Sequence, residues 1–260
     1  MKKTLQIANI ISFIITLVVN YLSNALPING KTAKELSDMN PNLFVPAPFT
    51  FSIWGFIYLL LIGFIVYQSS DLFSKNKKEL PHVEKIGWFF SISCLLNASW
   101  LLVWHYQLLS LSLVIMLAYL GTLILIYQRL GIGKEKGNWK ERLLVRLPFQ
   151  VLLGWLSIAT IANATNVLVS LGFTGGGIEE RTWAMIMISI GGLLALLMLF
   201  RKWDIAFSLV VVWAFYGIIS ERMEIMDFGF MEIVTTAVVC MVLIGVGVLV
   251  RSVQMVRNSI

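Results

Sequence analysis

Long apolar runs separated by short polar segments dominate the chain. A helix needs about 20 residues to cross roughly 30 Å of hydrocarbon, and eight runs have about that length. They lie at residues 5–25, 48–68, 86–104, 107–128, 147–169, 183–200, 203–219 and 230–250. Because water is absent at that depth, each run is expected to form a helix that satisfies its own backbone hydrogen bonds. The pattern predicts an all-α polytopic membrane protein with about eight transmembrane helices.

Two of these runs carry further local information. The third and fourth are separated only by "WHYQ", which predicts a tight antiparallel hairpin with His105 at its turn. The first has a basic start and small residues, Ser23 and Ala25, near its end, as a secretory signal peptide does. Its apolar length from Leu5 to Leu22 favours a membrane span.

The composition excludes a water-soluble globule. Hydrophobic residues make up 58% of the chain and charged residues 13%, with a mean hydropathy of +0.83. A typical soluble domain has about 25% charged residues. The polar surface is therefore too small to enclose this chain in water, and the lipid bilayer is its expected surroundings.

The basic residues predict the orientation of the helices, because cytoplasmic loops concentrate Lys and Arg. With the N-terminus inside, the outer loops hold only Lys31, Lys34, Arg181 and Arg222 of the 20 basic residues. The inner segments hold the other 16: Lys2, Lys3, Lys75, Lys77, Lys78, Lys85, Arg129, Lys134, Lys136, Lys140, Arg142, Arg146, Arg201, Lys202, Arg251 and Arg257. We expect a multi-pass cell-membrane protein with both termini cytoplasmic. This bias accounts for the net charge of +6 without a nucleic-acid partner.

The predicted outer loop at about residues 26–47 is long and turn-rich, with "NGKT", "NPN" and "PAP". A loop of about 20 residues in a compact protein is more often functional than idle. We interpret it as a lid over an outward-facing pocket, with Phe44 and Pro46 as its candidate contacts.

Aromatic residues in the second run follow a helical spacing. Phe51, Trp54 and Tyr58 stand at i, i+3 and i+7, so one helix face would carry all three. This stripe has two interpretations: packing against neighbouring helices, or the wall of a pocket for a flat apolar ligand.

Polar residues accompany tryptophans in two other runs. Asn97, Trp100 and Trp104 repeat at i, i+3 and i+7 in "LLNASWLLVWHY". In the fifth run, Trp155, Ala159 and Asn163 stand at i, i+4 and i+8. A buried Asn here serves either an interhelical hydrogen bond or the polar edge of a ligand.

Side-chain catalysis has little support in the sequence. No hydrolase, phosphate-loop, dinucleotide or metal signature occurs, so we predict no catalytic residues, no metal and no cofactor. Asp204 and Glu232 are ionisable and close to predicted helix ends, where snorkelling to the interface is favoured over a proton relay.

Three motifs resemble those of the TspO/MBR family, the translocator or peripheral benzodiazepine receptor proteins, also called tryptophan-rich sensory proteins. "FTFSIWGFIYLLL" is similar to the second-helix signature, in which Phe51, Trp54 and Tyr58 take the F, W and Y places. "LLNASW" is similar to the third-helix motif through Asn97 and Trp100, and "WLSIATIAN" to the fifth-helix motif through Trp155, Ala159 and Asn163.

The resemblance covers about residues 5–170 and implies a five-helix bundle, often a homodimer, with an aromatic pocket beneath the first loop. It implies a hydrophobic ligand, a porphyrin or a sterol-like molecule. There are departures: Phe44 stands where the family has Trp, and Pro148-Phe149 stands seven residues before Trp155. We predict a TspO-like bundle over residues 1–170 and a three-helix transmembrane extension over 171–260.

Three functions follow as hypotheses. The first is a membrane receptor or carrier that binds a flat hydrophobic molecule such as a porphyrin or another tetrapyrrole. The alternatives are an enzyme that degrades a bound porphyrin, and an ion-coupled secondary transporter. Binding is preferred over enzymatic activity, because the sequence carries no catalytic signature.

Overall fold

A computed structural model describes residues 1–25, 28–31, 35–36, 39, 41–72, 74, 79–134, 137–173, 175–224 and 230–257. Its long helices in this part of the chain are α1 (Lys2–Ala25), α2 (Ile53–Gln68), α3 (Phe89–His105), α4 (Leu109–Arg129), α5 (Leu147–Ser170), α6 (Glu180–Lys202), α7 (Ile205–Glu224) and α8 (Met231–Arg257). Each coincides with a predicted apolar run, which confirms the all-α membrane fold. Parts of the predicted lid, and the basic residues at 75–78 and 136, lie outside the described residues.

Most of these helices are long enough to cross a membrane. Within the described residues, seven helices have the length and apolar composition of a span. α3 is a shorter apolar helix of 17 residues, which is at the lower end of the range of about 17–25 residues for a transmembrane helix. The chain is therefore a multi-pass membrane protein.

The chain divides into two compact units. Unit one comprises Met1–Met39 with Ile53–Leu153, and unit two comprises Asn40–Ser52 with Gly154–Ile260. α5 contributes its first turns to unit one and its remainder to unit two. The predicted division into a five-helix bundle and a three-helix extension stays a prediction.

Aromatic packing forms the core of unit one. The rings of Phe64, Phe90 and Phe149 are fully buried, with centroids 5.1, 5.2 and 6.0 Å apart. At the opposite end of α3 from Phe90, the helix ends at His105 and α4 begins at Leu109, so the predicted hairpin is confirmed. The ring of His105 is buried and lies 2.8 Å from the carbonyl oxygen of Leu101.

A ladder of buried and half-buried polar side chains runs along α1 within unit one. Its members recur every three or four residues, so they share one face of the helix: Gln6, Asn9, Ser12, Thr16 and Asn20. Asn9 accepts a hydrogen bond from Ser91 at 2.7 Å, and Asn20 donates to Asn97 at 2.9 Å. In lipid such bonds fix one packing of a helix, because an unpaired polar group is costly there.

The base of this ladder is an ion pair. Lys2 contacts the buried carboxylate of Asp71 at 2.6 Å, and the same carboxylate accepts from Gln6 at 2.8 Å. Asn9 donates to the side-chain oxygen of Gln68 at 2.9 Å. These bonds join the start of α1 to the end of α2.

A wide turn precedes α5. Residues Arg142–Arg146 form a π-turn, and Pro148 follows immediately inside α5. Proline has no N–H to donate to the carbonyl four residues earlier, and its ring crowds that carbonyl. A widened turn before α5 accommodates both effects of Pro148.

Close packing through glycine characterises unit two, in which α8 packs on α6 and α7 packs on both. A Cβ at Gly192 of α6 would lie 2.9 Å from the sulfur of Cys240 on α8. A Cβ at Gly154 of α5 would lie 3.1 Å from the backbone oxygen of Phe207 on α7. Because glycine has only a hydrogen atom as its side chain, the helices can approach this closely at both positions.

The segment before α2 is held against α7. Its 3₁₀ turn, Pro48–Ser52, receives a hydrogen bond from Trp213 to the carbonyl oxygen of Thr50 at 2.9 Å. Just before it, the N–H of Ala47 donates to the carbonyl oxygen of Gly217 at 3.0 Å. Phe51 belongs to this 3₁₀ turn, which continues directly into α2 at Ile53, and its shared face with Trp54 and Tyr58 stays a prediction.

Asp204 also differs from expectation. Its side chain is fully buried, and its carboxylate accepts from the N–H of Phe207 at 2.9 Å. It therefore caps the start of α7, where an aspartate oxygen satisfies an orphan backbone donor. The expected snorkelling of Asp204 to the interface is wrong, whereas Glu232 is exposed in the first turn of α8.

Candidate functional site

A cavity of about 460 Å³ lies within unit two, where α5 ends and α6 begins. Its walls come from a loop, the last turns of α5, the α5–α6 connection and the first turns of α6. They are Pro41, Asn42, Leu43, Phe44, Thr160, Ile161, Ala164, Thr165, Leu168, Val169, Phe173, Gly175, Ile178, Glu180, Trp183, Ala184 and Met187. Ligand sites in proteins occupy about 300–1,000 Å³ and are mostly apolar, and this cavity matches both features.

Trp183 is the largest side chain in the wall, and its position is tightly fixed. The indole N–H donates to the carbonyl oxygen of Gly175 at 2.8 Å. The ring of Phe173 meets the indole edge-on, with centroids 5.8 Å apart and planes at 71°. Gly175 has φ +82°, and a Cβ there would lie 2.9 Å from the indole. The glycine therefore permits both the turn and the close seating of the ring.

α5 presents one face to the cavity through Thr160, Ala164 and Leu168, which stand at i, i+4 and i+8. The predicted pair, Ala159 and Asn163, precedes this set by one position. One residue of an α-helix is a rotation of about 100°. Accordingly, neither predicted residue is among the cavity's lining side chains in the described part of unit two.

The loop wall is a short structured turn. The side-chain oxygen of Asn42 accepts from the N–H of Phe44 at 3.1 Å, as in an Asx turn. Phe44 is fully buried, although it belongs to a loop. Of the two predicted lid contacts, Phe44 lines the cavity, and Pro46 is half-buried and is not among the lining residues in the described part of the loop.

Two other predicted residues pair within unit two. The rings of Phe51 and Trp155 lie edge-to-face, with centroids 6.0 Å apart and planes at 88°. Trp155 is 3% exposed, whereas Phe51 is 44% exposed. Such a pair contributes about 0.5–1.5 kcal/mol beyond its buried area.

The remaining predicted residues belong to unit one: Trp54 and Tyr58 lie on α2, and Asn97 and Trp100 lie on α3. Tyr58 stacks on Trp54, with centroids 5.6 Å apart and planes at 23°. Asn97 is buried and accepts the hydrogen bond from Asn20 on α1. Trp100 stacks on Trp104 at 5.9 Å, and its indole nitrogen is buried without a hydrogen-bond partner in the described residues.

Sequence reasoning missed the aromatic and thioether residues that α6 and its preceding loop supply, namely Phe173, Trp183 and Met187. No role was predicted for the α5–α6 loop, "GFTGGGIEE". A usable signal was present: Glu180, Trp183 and Met187 stand at i, i+3 and i+7, directly after a glycine-rich turn.

The cavity's ionisable chemistry is limited. Glu180, the first residue of α6, is the one charged side chain among the described lining residues, and it is exposed at the rim. Among the residues that the structure describes, no three His, Cys, Asp or Glu side chains lie close enough together to hold a metal ion.

Comparison of the chain with known protein families and proteins shows which family it belongs to. The sequence model of the family described as TSPO-like protein matches residues 6–250, from the start of α1 into the last turns of α8. The match thus includes α6, α7 and most of α8, beyond the 5–170 range of the recognised motifs. No curated protein and no solved structure matches the chain significantly. With its membrane helices and a family match over most of its length, the chain belongs to the TSPO-like protein family.

Proposed function

We propose that this protein is a membrane receptor or carrier of the TspO type that binds a flat hydrophobic molecule, with porphyrins as the first candidates. The observation that carries the proposal is the apolar cavity of about 460 Å³ in unit two. Trp183, Phe173 and Phe44 supply aromatic surface to it. Aromatic walls suit a flat ring system, because rings pack edge-on or stacked on one another.

Residues Pro41–Phe44 cover the cavity as its loop wall and act as the proposed lid. Nearby, the Ala47–Gly217 hydrogen bond ties the end of this loop to α7. The anchor leaves the residues before Ala47 as the segment that moves when a ligand enters. Phe44 would leave its buried position during this movement.

The eight residues predicted from the motifs remain candidate ligand-binding residues. They are Phe51, Trp54, Tyr58, Asn97, Trp100, Trp155, Ala159 and Asn163. The Trp54–Tyr58 stack supports this role, because two rings with parallel faces offer a platform to a third. Their role in binding stays a prediction.

The membrane setting is also a proposal in its finer details. The distribution of Lys and Arg supports cytoplasmic N- and C-termini in a cell membrane. In that orientation the cavity opens on the outer side, beneath the first outer loop. A homodimer is proposed from the family resemblance alone.

Titration of a porphyrin against the purified full-length protein tests the function. Binding is followed by porphyrin absorbance, so that replacing a tryptophan does not alter the signal itself. Trp183→Leu and Phe44→Ala should each weaken binding, by about tenfold, if these rings contact the ligand. Trp139→Leu is the matched control, because Trp139 is 67% exposed and lies outside the cavity.

Unchanged affinity in both cavity variants would remove the basis of the proposal for this site. Trp54→Ala and Trp155→Ala extend the same titration to the motif residues. Bleaching of the bound porphyrin in wild type, lost in the tryptophan variants, would instead indicate the degrading enzyme.

A further inference from the structure

The hydroxyl groups of the two threonines in the cavity wall already donate hydrogen bonds to backbone carbonyl oxygens. Thr160 donates to the carbonyl oxygen of Leu156 at 2.7 Å, and Thr165 donates to that of Ile161 at 2.9 Å. A hydroxyl has a single hydrogen and two lone pairs. Both hydroxyl groups therefore have only acceptor capacity left for a further partner.

The indole N–H in the cavity wall also donates to a backbone carbonyl oxygen. The N–H of Trp183 is bound to the carbonyl oxygen of Gly175, and only the apolar ring surface is left for a ligand. The described lining residues include no Lys, Arg or His. The wall thus has no positive charge with which to bind a carboxylate.

The rim carries negative charge. Glu180 lies at the rim and forms no ion pair within 4 Å with any residue that the structure describes. The two neighbouring cations are closer to other carboxylates: Arg181 lies 3.5 Å from Glu179, and Arg222 lies 3.9 Å from Glu221. Glu180 is consequently the carboxylate that a ligand at the cavity mouth would meet.

We infer that the cavity selects, among flat hydrophobic molecules, those that carry an amine or another hydrogen-bond donor at one end. The ring system packs against Trp183 and Phe173, and the donor end contacts Glu180 at the rim. A ligand with carboxylate side chains meets a like charge at the rim and no Lys, Arg or His among the described lining residues. This inference rests on the proposed function and adds the chemistry of the ligand's polar end.

Three porphyrins with the same ring test this selectivity: a dicarboxylate, its neutral dimethyl ester and a dicationic amine derivative. Each is titrated against the full-length protein in neutral detergent micelles at low salt. We expect the amine derivative to bind most tightly and the dicarboxylate least, with about a tenfold difference between them. Trp183→Leu should weaken all three together, because it removes the ring contact and leaves the charge unchanged.

Glu180→Gln removes the rim charge and keeps the shape of the side chain. It should bring the affinities of the amine and the dicarboxylate to within about twofold of each other. Glu232→Gln is the matched control, because Glu232 is likewise an exposed acid in the first turn of a helix and is absent from the cavity wall. The Glu232→Gln variant should keep the wild-type difference in affinity between the amine and the dicarboxylate.

The outcomes separate the two proposals. If all three porphyrins bind equally, or the dicarboxylate binds most tightly, the charge selectivity is overturned and the cavity remains a ligand site. A wild-type preference that survives in Glu180→Gln also overturns the assignment to Glu180. If none of the three binds, the proposed function fails, and the inference fails with it.

Discussion

The indole N–H of Trp183 donates to the carbonyl oxygen of Gly175 across eight residues, at 2.8 Å. This hydrogen bond holds the loop between α5 and α6 against the first turn of α6. A Cβ at Gly175 would lie 2.9 Å from the same ring, so no other residue fits without displacing it. The wall of the cavity therefore depends on a residue that has no side chain.

Gly175→Ala should displace Trp183 and weaken ligand binding by about 2- to 10-fold, the value of one aromatic contact. Gly177→Ala is the control, because Gly177 also has a positive φ, +90°, but no atom within 4 Å of a Cβ there. Both variants carry similar backbone strain, of about 1–2 kcal/mol. Porphyrin titration compares them, and equal affinities would contradict the proposed role of the Trp183 position.

Gly217→Ala should strongly destabilise unit two. A Cβ at Gly217 would collide with the side chain of Thr50, in a turn that is also bonded to Trp213. Overpacking of this kind costs about 3 kcal/mol. Thermal unfolding in detergent measures the loss.

Gly245→Ala provides the reference for that measurement. No atom lies within 4 Å of a Cβ at Gly245, in the middle of α8. Alanine is favoured over glycine in a helix by about 1 kcal/mol, so this variant should be as stable as wild type or more so. Similar losses in both variants would show that the Gly217–Thr50 contact is not the cause.

The Asn20–Asn97 hydrogen bond should contribute measurably to the packing of α1 on α3. Interhelical polar pairs in membranes are worth about 0.6 kcal/mol on average. A double-mutant cycle with Asn20→Ala and Asn97→Ala, followed by denaturant unfolding in micelles, isolates the coupling. Additive effects of the two substitutions would indicate that the bond at 2.9 Å contributes no stability.

Acid should destabilise unit one through His82. Burial lowers the pKa of His82 to about 4, with a smaller lowering by Lys2 and an opposing effect of Glu141. Its ring stacks on Tyr67, with centroids 5.3 Å apart. Because the unfolded chain binds this proton more readily, His82 contributes no penalty above pH 6.5 and costs stability as the pH falls from 6.5 towards 4.

The size of the effect is at most about 3 kcal/mol, from the difference between the two pKa values. Unfolding free energies at pH 7 and pH 4.5 measure it. His82→Phe keeps a ring against Tyr67 and should reduce the loss at low pH. An unchanged loss in this variant would assign the acid sensitivity to other groups.

Asp204 should act as a helix cap and not as a coupling carboxylate. Asn caps helices about as well as Asp, so Asp204→Asn should retain stability, whereas Asp204→Leu should lose about 1–2 kcal/mol. Thermal unfolding distinguishes the two variants. Ion-dependent uptake that Asp204→Asn abolishes, without loss of stability, would favour the secondary transporter.

The sequence by itself determined the helices and their number. Each run of apolar residues is long enough to require a helix in lipid, and that requirement depends only on the run itself. The α3–α4 hairpin follows for the same reason, since three residues between His105 and Leu109 allow no other connection. The resemblance to the family also came from local motifs, because Trp54, Asn97 and Trp155 stand within short patterns that can be read from the sequence alone.

The tertiary structure alone decided which side chains meet. The 3₁₀ turn that contains Phe51 is held against α7 by hydrogen bonds with Trp213 and Gly217, more than 160 residues away. The cavity face of α5 is rotated by one residue from the predicted one, since α6 and the Pro41–Phe44 loop decide which face they cover. Helix formation depends on neighbours in sequence, whereas a cavity depends on segments that meet only after the chain has folded.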